Sequence, residues 1–347
     1  MPNPFTLAFG AEPASIIRRD LQVDEITGAF SSEGPGYQVA MLTGVRGSGK
    51  TVMLTNVENE LRRDPSWIIV DANPELDILK MVAADLSNHT QLLQLFRDAK
   101  INLSFLGLGI EIDGVPPITD TVVALDRMLA KLTHSGKKVL IAMDEVSSTP
   151  EVRIFAQQFQ IFMRRKYSVY TLMAGLYENI SALQNEKTLT FLYRAPKFAM
   201  EPLNLALIAQ RYQKIFAVDE TEARRMAKVT EGYPYAFQLL GYLCYNRKSS
   251  YLDVMGEFDA YLEEFVYAKI WSELSMRDQL VLRGMCAAQD RKVGTIRKVV
   301  GMNSSEFSVY RDRLIKKGII SAPCYGQVDF ALPRFREFVM RKVGEDE

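Results

Sequence analysis

The chain has 347 residues, 48% hydrophobic and 24% charged, with 42 basic residues balanced by 42 acidic ones. That length can bury more than one core and favours two or three units, while a zero net charge gives no overall field to draw the molecule onto nucleic acid. No stretch approaches the roughly 20 uncharged apolar residues a membrane helix needs, and Met1–Gly10 lacks a basic region followed by an apolar core. A cytoplasmic protein with no membrane partner is expected. Cys244, Cys286 and Cys324 lie far apart without paired spacing, which suits free thiols. His89 and His134 are the only histidines, so hydrolytic chemistry would rest on carboxylates and a metal.

The first informative segment is Tyr37–Thr43, an apolar run ending in Gly44, Val45, Arg46, Gly47, Ser48, Gly49, Lys50 and Thr51, with a helical pattern from Val52 through Leu61. This is strand, glycine loop, helix. Glycines let a backbone fold around phosphate oxygens, with N–H groups and the helix start aimed at the charge. Gly44–Val52 are therefore candidate ATP-binding residues. Lys50 would reach the β/γ-phosphates and Thr51 would offer its hydroxyl to Mg²⁺. Arg63-Asp64-Pro65 stops the helix, and Trp67–Asp71 reads as the next strand.

A single helix is expected over Met81–Ala99. Ile101–Asp113 reads as a glycine-containing hairpin, either a partner contact or a decorated sheet edge. Thr119–His134 is an amphipathic helix. Val139–Met143 then forms a continuous apolar run, as a central parallel strand needs, and ends in Asp144 and Glu145. Open α/β sheets place ligands at this end of their strands. There Asp144 could hold Mg²⁺ and Glu145 could deprotonate the attacking water; a strand that merely ends in solvated acids is the plainer alternative.

Ser148 and Glu151 have capping-box spacing around Pro150, opening a helix to about Arg165. Val169–Ala174 repeats the strand pattern, and Tyr193-Arg194 precede a last short strand, Lys197–Met200. The phosphate-binding half should end near Pro202.

Between Arg291 and Lys342 stand twelve basic residues against four acidic ones. From Ser275 the order is helix (Met276–Ala287), helix (Val293–Val300), turn, helix (Ser304–Lys317) and a two-stranded wing (Ile319–Ala322 and Gln327–Leu332), which resembles a winged helix-turn-helix. Asn303 and Glu306 have capping-box spacing, and the exposed face of the third helix would present Ser305, Ser308, Arg311, Asp312 and Lys316. Hydroxyls and cations there suit a DNA major groove, although winged helices also dock proteins.

The GxxGxGKT loop at Gly44–Thr51, the hhhhDE strand at Val139–Glu145 and the segment Glu231–Gly241 together resemble P-loop ATPases of the AAA+ and STAND type, close to the origin-recognition-related subgroup. In Gly232-Tyr233-Pro234 the chain is similar to the GxP motif of STAND ATPases, which implies that Pro234 lies against the adenine and couples a lid to nucleotide. Read without the family, Pro234 is ordinary helix-start punctuation. Phe9–Pro13 is similar to the family's N-terminal strap. Arg194 resembles the arginine that members direct at a γ-phosphate, often in trans from an ATP-dependent homo-oligomer; a surface arginine is the alternative. Two departures stand out: Met173-Ala174-Gly175 replaces a polar sensor, for which Glu178 or Asn179 could substitute, and the lid carries no sensor arginine. Both favour a switch over a fast motor.

The resemblance implies a P-loop α/β domain over 1–202 with a parallel sheet and helices on both faces, a helical lid over 203–273 and a winged helix over 274–347. It further implies an ATPase that hydrolyses ATP slowly to ADP and acts as a switch on duplex DNA. The alternative is a signalling or defence scaffold whose winged helix holds a protein partner.

Overall fold

The computed structural model describes residues 2–8, 13–104, 107, 111–288 and 290–345. The chain divides into two compact units: Arg19–Thr43 with Lys50–Ala199, and Met1–Arg18 with Gly44–Gly49 and Met200–Glu347.

The first unit opens with α1 (Asp20–Ser31), which buries Val23, Ile26 and Phe30 at helical spacing. It continues through β1 (Val39–Thr43), α2 (Lys50–Leu61), β2 (Trp67–Asp71), α3 (Ile78–Asn88), α4 (Thr90–Asp98), α5 (Thr121–His134), β3 (Lys138–Met143), α6 (Pro150–Arg164), β4 (Val169–Gly175), α7 (Tyr177–Gln184), a 3-10 turn (Thr190–Arg194) and β5 (Lys197–Ala199). The strands form one sheet in the order β2-β3-β4-β1-β5. Every pairing is parallel. All residues of β1 and β4 are buried. Strands covered on both faces need uninterrupted apolar sequence, which Val39-Ala40-Met41-Leu42 and Val139-Leu140-Ile141-Ala142-Met143 supply.

Three local expectations change. The helix expected over Met81–Ala99 is two helices, because His89 adopts an extended backbone (ψ 105°) that ends α3 and starts α4. The cap of α6 is Thr149, whose hydroxyl accepts from Val152 N at 3.2 Å, while Ser148 Oγ turns to Glu186. No strand forms at the described positions of Ile101–Asp113; there Asn102 gathers the loop, its amide donating to the carbonyls of Val115 at 2.7 Å and Ile112 at 3.3 Å. The expected hairpin positions Phe105, Gly109 and Ile110 lie outside the described residues.

The second unit is helical. Asn204 and Asp219 cap α8 (Leu205–Phe216) and α9 (Glu220–Val229). Helix α10 (Pro234–Arg247) starts with proline in its first turn. Helices α11 (Met255–Leu262) and α12 (Ala268–Ser272) are joined by a π turn, Glu263–Tyr267. A Ser275–Asp278 capping box opens α13 (Met276–Ala287). There follow α14 (Val293–Val299), α15 (Ser304–Lys316), the antiparallel pair β6 (Ile320–Ser321) and β7 (Asp329–Phe330), and α16 (Phe335–Glu345), which the sequence patterns did not announce. A bridge between Lys292 and Gln327 widens the hairpin. One core unites these elements and includes Phe5, which packs on Tyr212, Phe216 and Phe237 and lies against Gly241. Among the described residues no helix is long and apolar enough to cross a membrane.

In the first unit Glu58 of α2 is buried, with Arg62 at 3.4 Å; Arg62 also reaches Asp71, at the end of β2, at 3.7 Å. Burial first, and then Asp71, hold the Glu58 carboxyl well above its usual range despite Arg62. The folded chain thus keeps a proton that the unfolded carboxyl loses near its ordinary pKa. Stability therefore falls as pH rises from that value toward the folded pKa. Urea melts of Glu58→Gln, which cannot ionise, should show the variant gaining on the wild type between about pH 5 and about pH 8, by up to about 1.4 kcal/mol per unit. A difference independent of pH would mean that Glu58 is ionised in the fold.

Candidate functional site

In the parallel sheet the strands end together at their C-termini, with Thr43 beside Gly175 across the β1–β4 pairing. Beyond Thr43 runs the loop Gly44–Gly49, and α2 begins at Lys50. Gly47 and Gly49 adopt φ of +71° and +87°, which only glycine takes without strain. Ser48 N donates to the Val45 carbonyl at 3.2 Å and closes the turn. The Ser48 hydroxyl oxygen is buried and has no hydrogen-bond partner among the described residues.

Within the sheet unit, the Thr51 hydroxyl donates to Asp144 Oδ2 at 2.5 Å. The other Asp144 oxygen accepts from Glu145 N at 2.8 Å. Glu145 has φ of +53° and is exposed. Its conformation is fixed from both sides, since the next residue, Val146, donates its N–H to the Ala174 carbonyl at 2.8 Å. The chain thus crosses from β3 to β4's end immediately after the carboxylates. A threonine hydroxyl and a carboxylate meeting at the start of the loop's helix make a hard oxygen pair of the kind Mg²⁺ prefers. The left-handed glycines and the orphaned Ser48 oxygen suit an oxygen-rich anion. Lys50 and Val52 open α2. Taken separately, the loop's chemistry suits a phosphate group and that of the Thr51–Asp144 pair a hard divalent cation.

Within the helical unit, the hexapeptide Gly44–Gly49 is held by residues that precede and open α10. Tyr233 donates its hydroxyl to the Arg46 carbonyl, and Tyr235 N donates to the Gly47 carbonyl at 3.1 Å. Burial pushes the Tyr233 phenol far above its usual pKa, so it remains a donor. Pro234 lies beside Gly49, its Cβ and Cγ 3.8 Å from where a Cβ on Gly49 would stand. Arg46 also forms an ion pair with Glu273, just after α12, at 2.9 Å.

The fold thus brings together Thr51 with Asp144, and Pro234 with Gly49. Arg194 ends the 3-10 turn, exposed, and makes no hydrogen bond to Thr51 or Asp144. Glu178 and Asn179 are half-buried in the first turn of α7. Of the expected strap, Phe9–Glu12 lie outside the described residues. Sequence reasoning passed over Tyr233 and Tyr235 as flanks of the proline motif, and nothing local ties Glu273 to Arg46, 227 positions away; its i,i+4 spacing from Lys269 marks only an ordinary helix pair.

A sheet in the order β2-β3-β4-β1-β5, a glycine loop after β1 and acids after β3 are the arrangement of the P-loop α/β fold. The structure is similar to the Walker-type ATPase PABY2304 of Pyrococcus abyssi, with a TM-score of 0.68 at 16% identity over 97% of this chain and 99% of that one. It is also similar to the ORC2 protein of Aeropyrum pernix in its ADPNP-ADP complexes, with a TM-score of 0.61 at 13% identity over 98% of this chain and 97% of that one. A domain of unknown function (DUF8462) matches residues 264–339. No curated protein matches the sequence.

Gly47→Ala tests the loop directly. An added Cβ would strain φ at +71° and meet the Tyr233 ring at 2.9 Å and the Tyr235 Cβ at 2.9 Å. The substitution should lower stability by about 1–3 kcal/mol, read as a reduced denaturant midpoint.

Proposed function

We propose that the chain is a Mg²⁺-dependent ATPase that works as a slow, ATP-controlled switch. The hydrogen bond between Thr51 and Asp144 carries this reading, because it joins the helix opened by the glycine loop to the strand that ends in the carboxylate pair. On this reading the N–H groups of Gly44–Gly49 and the Lys50 ammonium bind the phosphates, with Val52 closing the first turn below them. Thr51 and Asp144 hold Mg²⁺, whose role when bound is to neutralise charge on the β- and γ-phosphates. Glu145 takes the proton of the attacking water as the water oxygen bonds to the γ-phosphorus and the bond from that phosphorus to the β,γ-bridging oxygen breaks, leaving ADP and inorganic phosphate. Pro234, seated by Gly49, couples the helices after Leu203 to the nucleotide. Arg194, exposed, is offered as a γ-phosphate ligand supplied to a neighbouring copy in an ATP-dependent homo-oligomer. The names of the similar proteins, a Walker-type ATPase and an ORC2 protein with ADPNP and ADP, support the nucleotide part.

Lys50→Ala should weaken binding of a fluorescent ATP analogue by about tenfold or more, through loss of a charge-assisted contact. Glu145→Gln should bind as well as the wild type and lose turnover. Equal loss of binding in both would remove this division of labour.

For the output we favour duplex DNA, with 1–202 as the ATPase domain, 203–273 as a lid and 274–347 as a winged helix. The exposed Ser305, Val309, Asp312 and Lys316 of α15, and a cleft of about 820 Å³ lined by Arg297, Ser304, Ser308, Arg311, Tyr325 and Gln327, support a groove-facing surface. Half of the twelve local cations are already committed within the protein by the following pairs. Arg291 pairs with Asp329, Arg311 with Asp312, Arg313 with Asp278, Arg334 with Asp259 and Glu337, and Arg341 and Lys342 with Glu263. Arg297, Lys298 and Lys316 have no such carboxylate among the described residues.

Three such cations imply about three phosphate contacts. Anisotropy of the full-length protein on labelled duplex should therefore give a log–log salt slope near about −3, against about −7 if all eight excess charges were engaged. Lys316→Ala should flatten the slope by about one unit. Affinity indifferent to salt and to Lys316 would transfer the reading to a protein-docking scaffold.

A further inference from the structure

The third residue of the glycine loop is gripped at both ends by the C-terminal helices. The Arg46 carbonyl accepts from the buried Tyr233 hydroxyl, and its guanidinium donates to Glu273 Oε1 at 2.9 Å. The same oxygen takes the Lys269 ammonium at 3.2 Å. Burial on its own would raise the Glu273 carboxyl, but the Arg46 contact, followed by that of Lys269, outweighs it and holds the group below its usual range. Next to Arg46, Val45 meets Gly318, the turn that leads from α15 into β6, with 3.9 Å between the Val45 side chain and a Cβ placed on that glycine. Two successive loop residues are thus touched by the end of α12 and by the entry to the hairpin.

A glycine loop attracts phosphate through its backbone N–H groups and through any guanidinium or ammonium it can add. A guanidinium committed to a carboxylate adds less. We propose that Glu273 and bound phosphate compete for Arg46, so that nucleotide loosens the end of α12 and the Glu273 contact in turn weakens nucleotide binding. This rests on the nucleotide reading above and gives it a control element: a carboxylate on the C-terminal helices that sets how strongly the loop holds its ligand. Coupling of this kind is reciprocal, with one factor describing both directions. Because both partners remain partly exposed, at 36% and 29%, that factor is modest. A solvent-screened ion pair corresponds to roughly two- to fivefold. Lys269 has the opposite effect to Glu273, since it draws the shared oxygen away from Arg46.

The test uses the full chain and an N-methylanthraniloyl derivative of ADP, with release followed by stopped flow. Glu273→Gln and Glu273→Ala should each slow release by roughly two- to fivefold, and Lys269→Ala should speed it. Hydrogen exchange at residues 268–274 should rise on adding ADP to the wild type and stay unchanged by ADP in both Glu273 variants. A purely structural role would predict the reverse, since loosening the supports of the loop speeds release. Release from the Glu273 variants at or above the wild-type rate overturns the competition while leaving nucleotide binding intact. Wild-type protein that binds no nucleotide overturns both, and is told apart because it fails before any variant is compared.

Discussion

Everything in the sheet unit follows from the need to pair the backbone of strands that are buried on both faces. A strand such as β4, without a single exposed residue, can satisfy its N–H and C=O groups only against neighbours on either side. Parallel pairing requires a crossover between successive strands, and the crossovers supply the helices that cover the faces. The same requirement gathers all C-terminal strand ends along one edge. Placing β4 between β1 and β3 leaves the C-terminal ends of those two strands one strand apart. That separation is what Thr51, one residue into α2, spans to reach Asp144.

The helical unit is stabilised differently. Its ion pairs join elements distant in sequence: Arg313 of α15 to Asp278 of α13, and Arg334 before α16 to Asp259 of α11. Asp278 is almost fully buried, so its guanidinium partner is a structural necessity, because an unpaired charge there would be costly. A count of basic residues between Arg291 and Lys342 misses this, since Asp259, Glu263 and Asp278 lie outside that window.

The legible parts of the sequence were those governed by local rules. The glycine loop, the apolar strands ending at Asp144 and the order of helices and hairpin near the C-terminus depend on neighbours within a few positions. Boundaries fixed by one backbone angle were not legible, as at His89, where two helices meet in a continuous helical pattern. The cap of α6 fell to Thr149 because Ser148 had a distant competitor, Glu186. Glu273 reads locally as an ordinary i,i+4 helix pair with Lys269, and its significance came only from the fold's bringing it to Arg46.

The assignment of Gly44–Gly49 to the helical unit, although Thr43 and Lys50 on either side belong to the sheet, bears on how the protein can be divided. A cut near residue 200 severs the main connection but leaves the hexapeptide, and Phe5 with it, on the wrong fragment. A C-terminal fragment would then open the aromatic slot beside Gly241 to water, and its Tyr233 would lose the carbonyl it serves. Fragment expression should thus yield a soluble helical half only when the missing pieces are supplied. Complementation between two separately expressed halves is the natural format for studying either one.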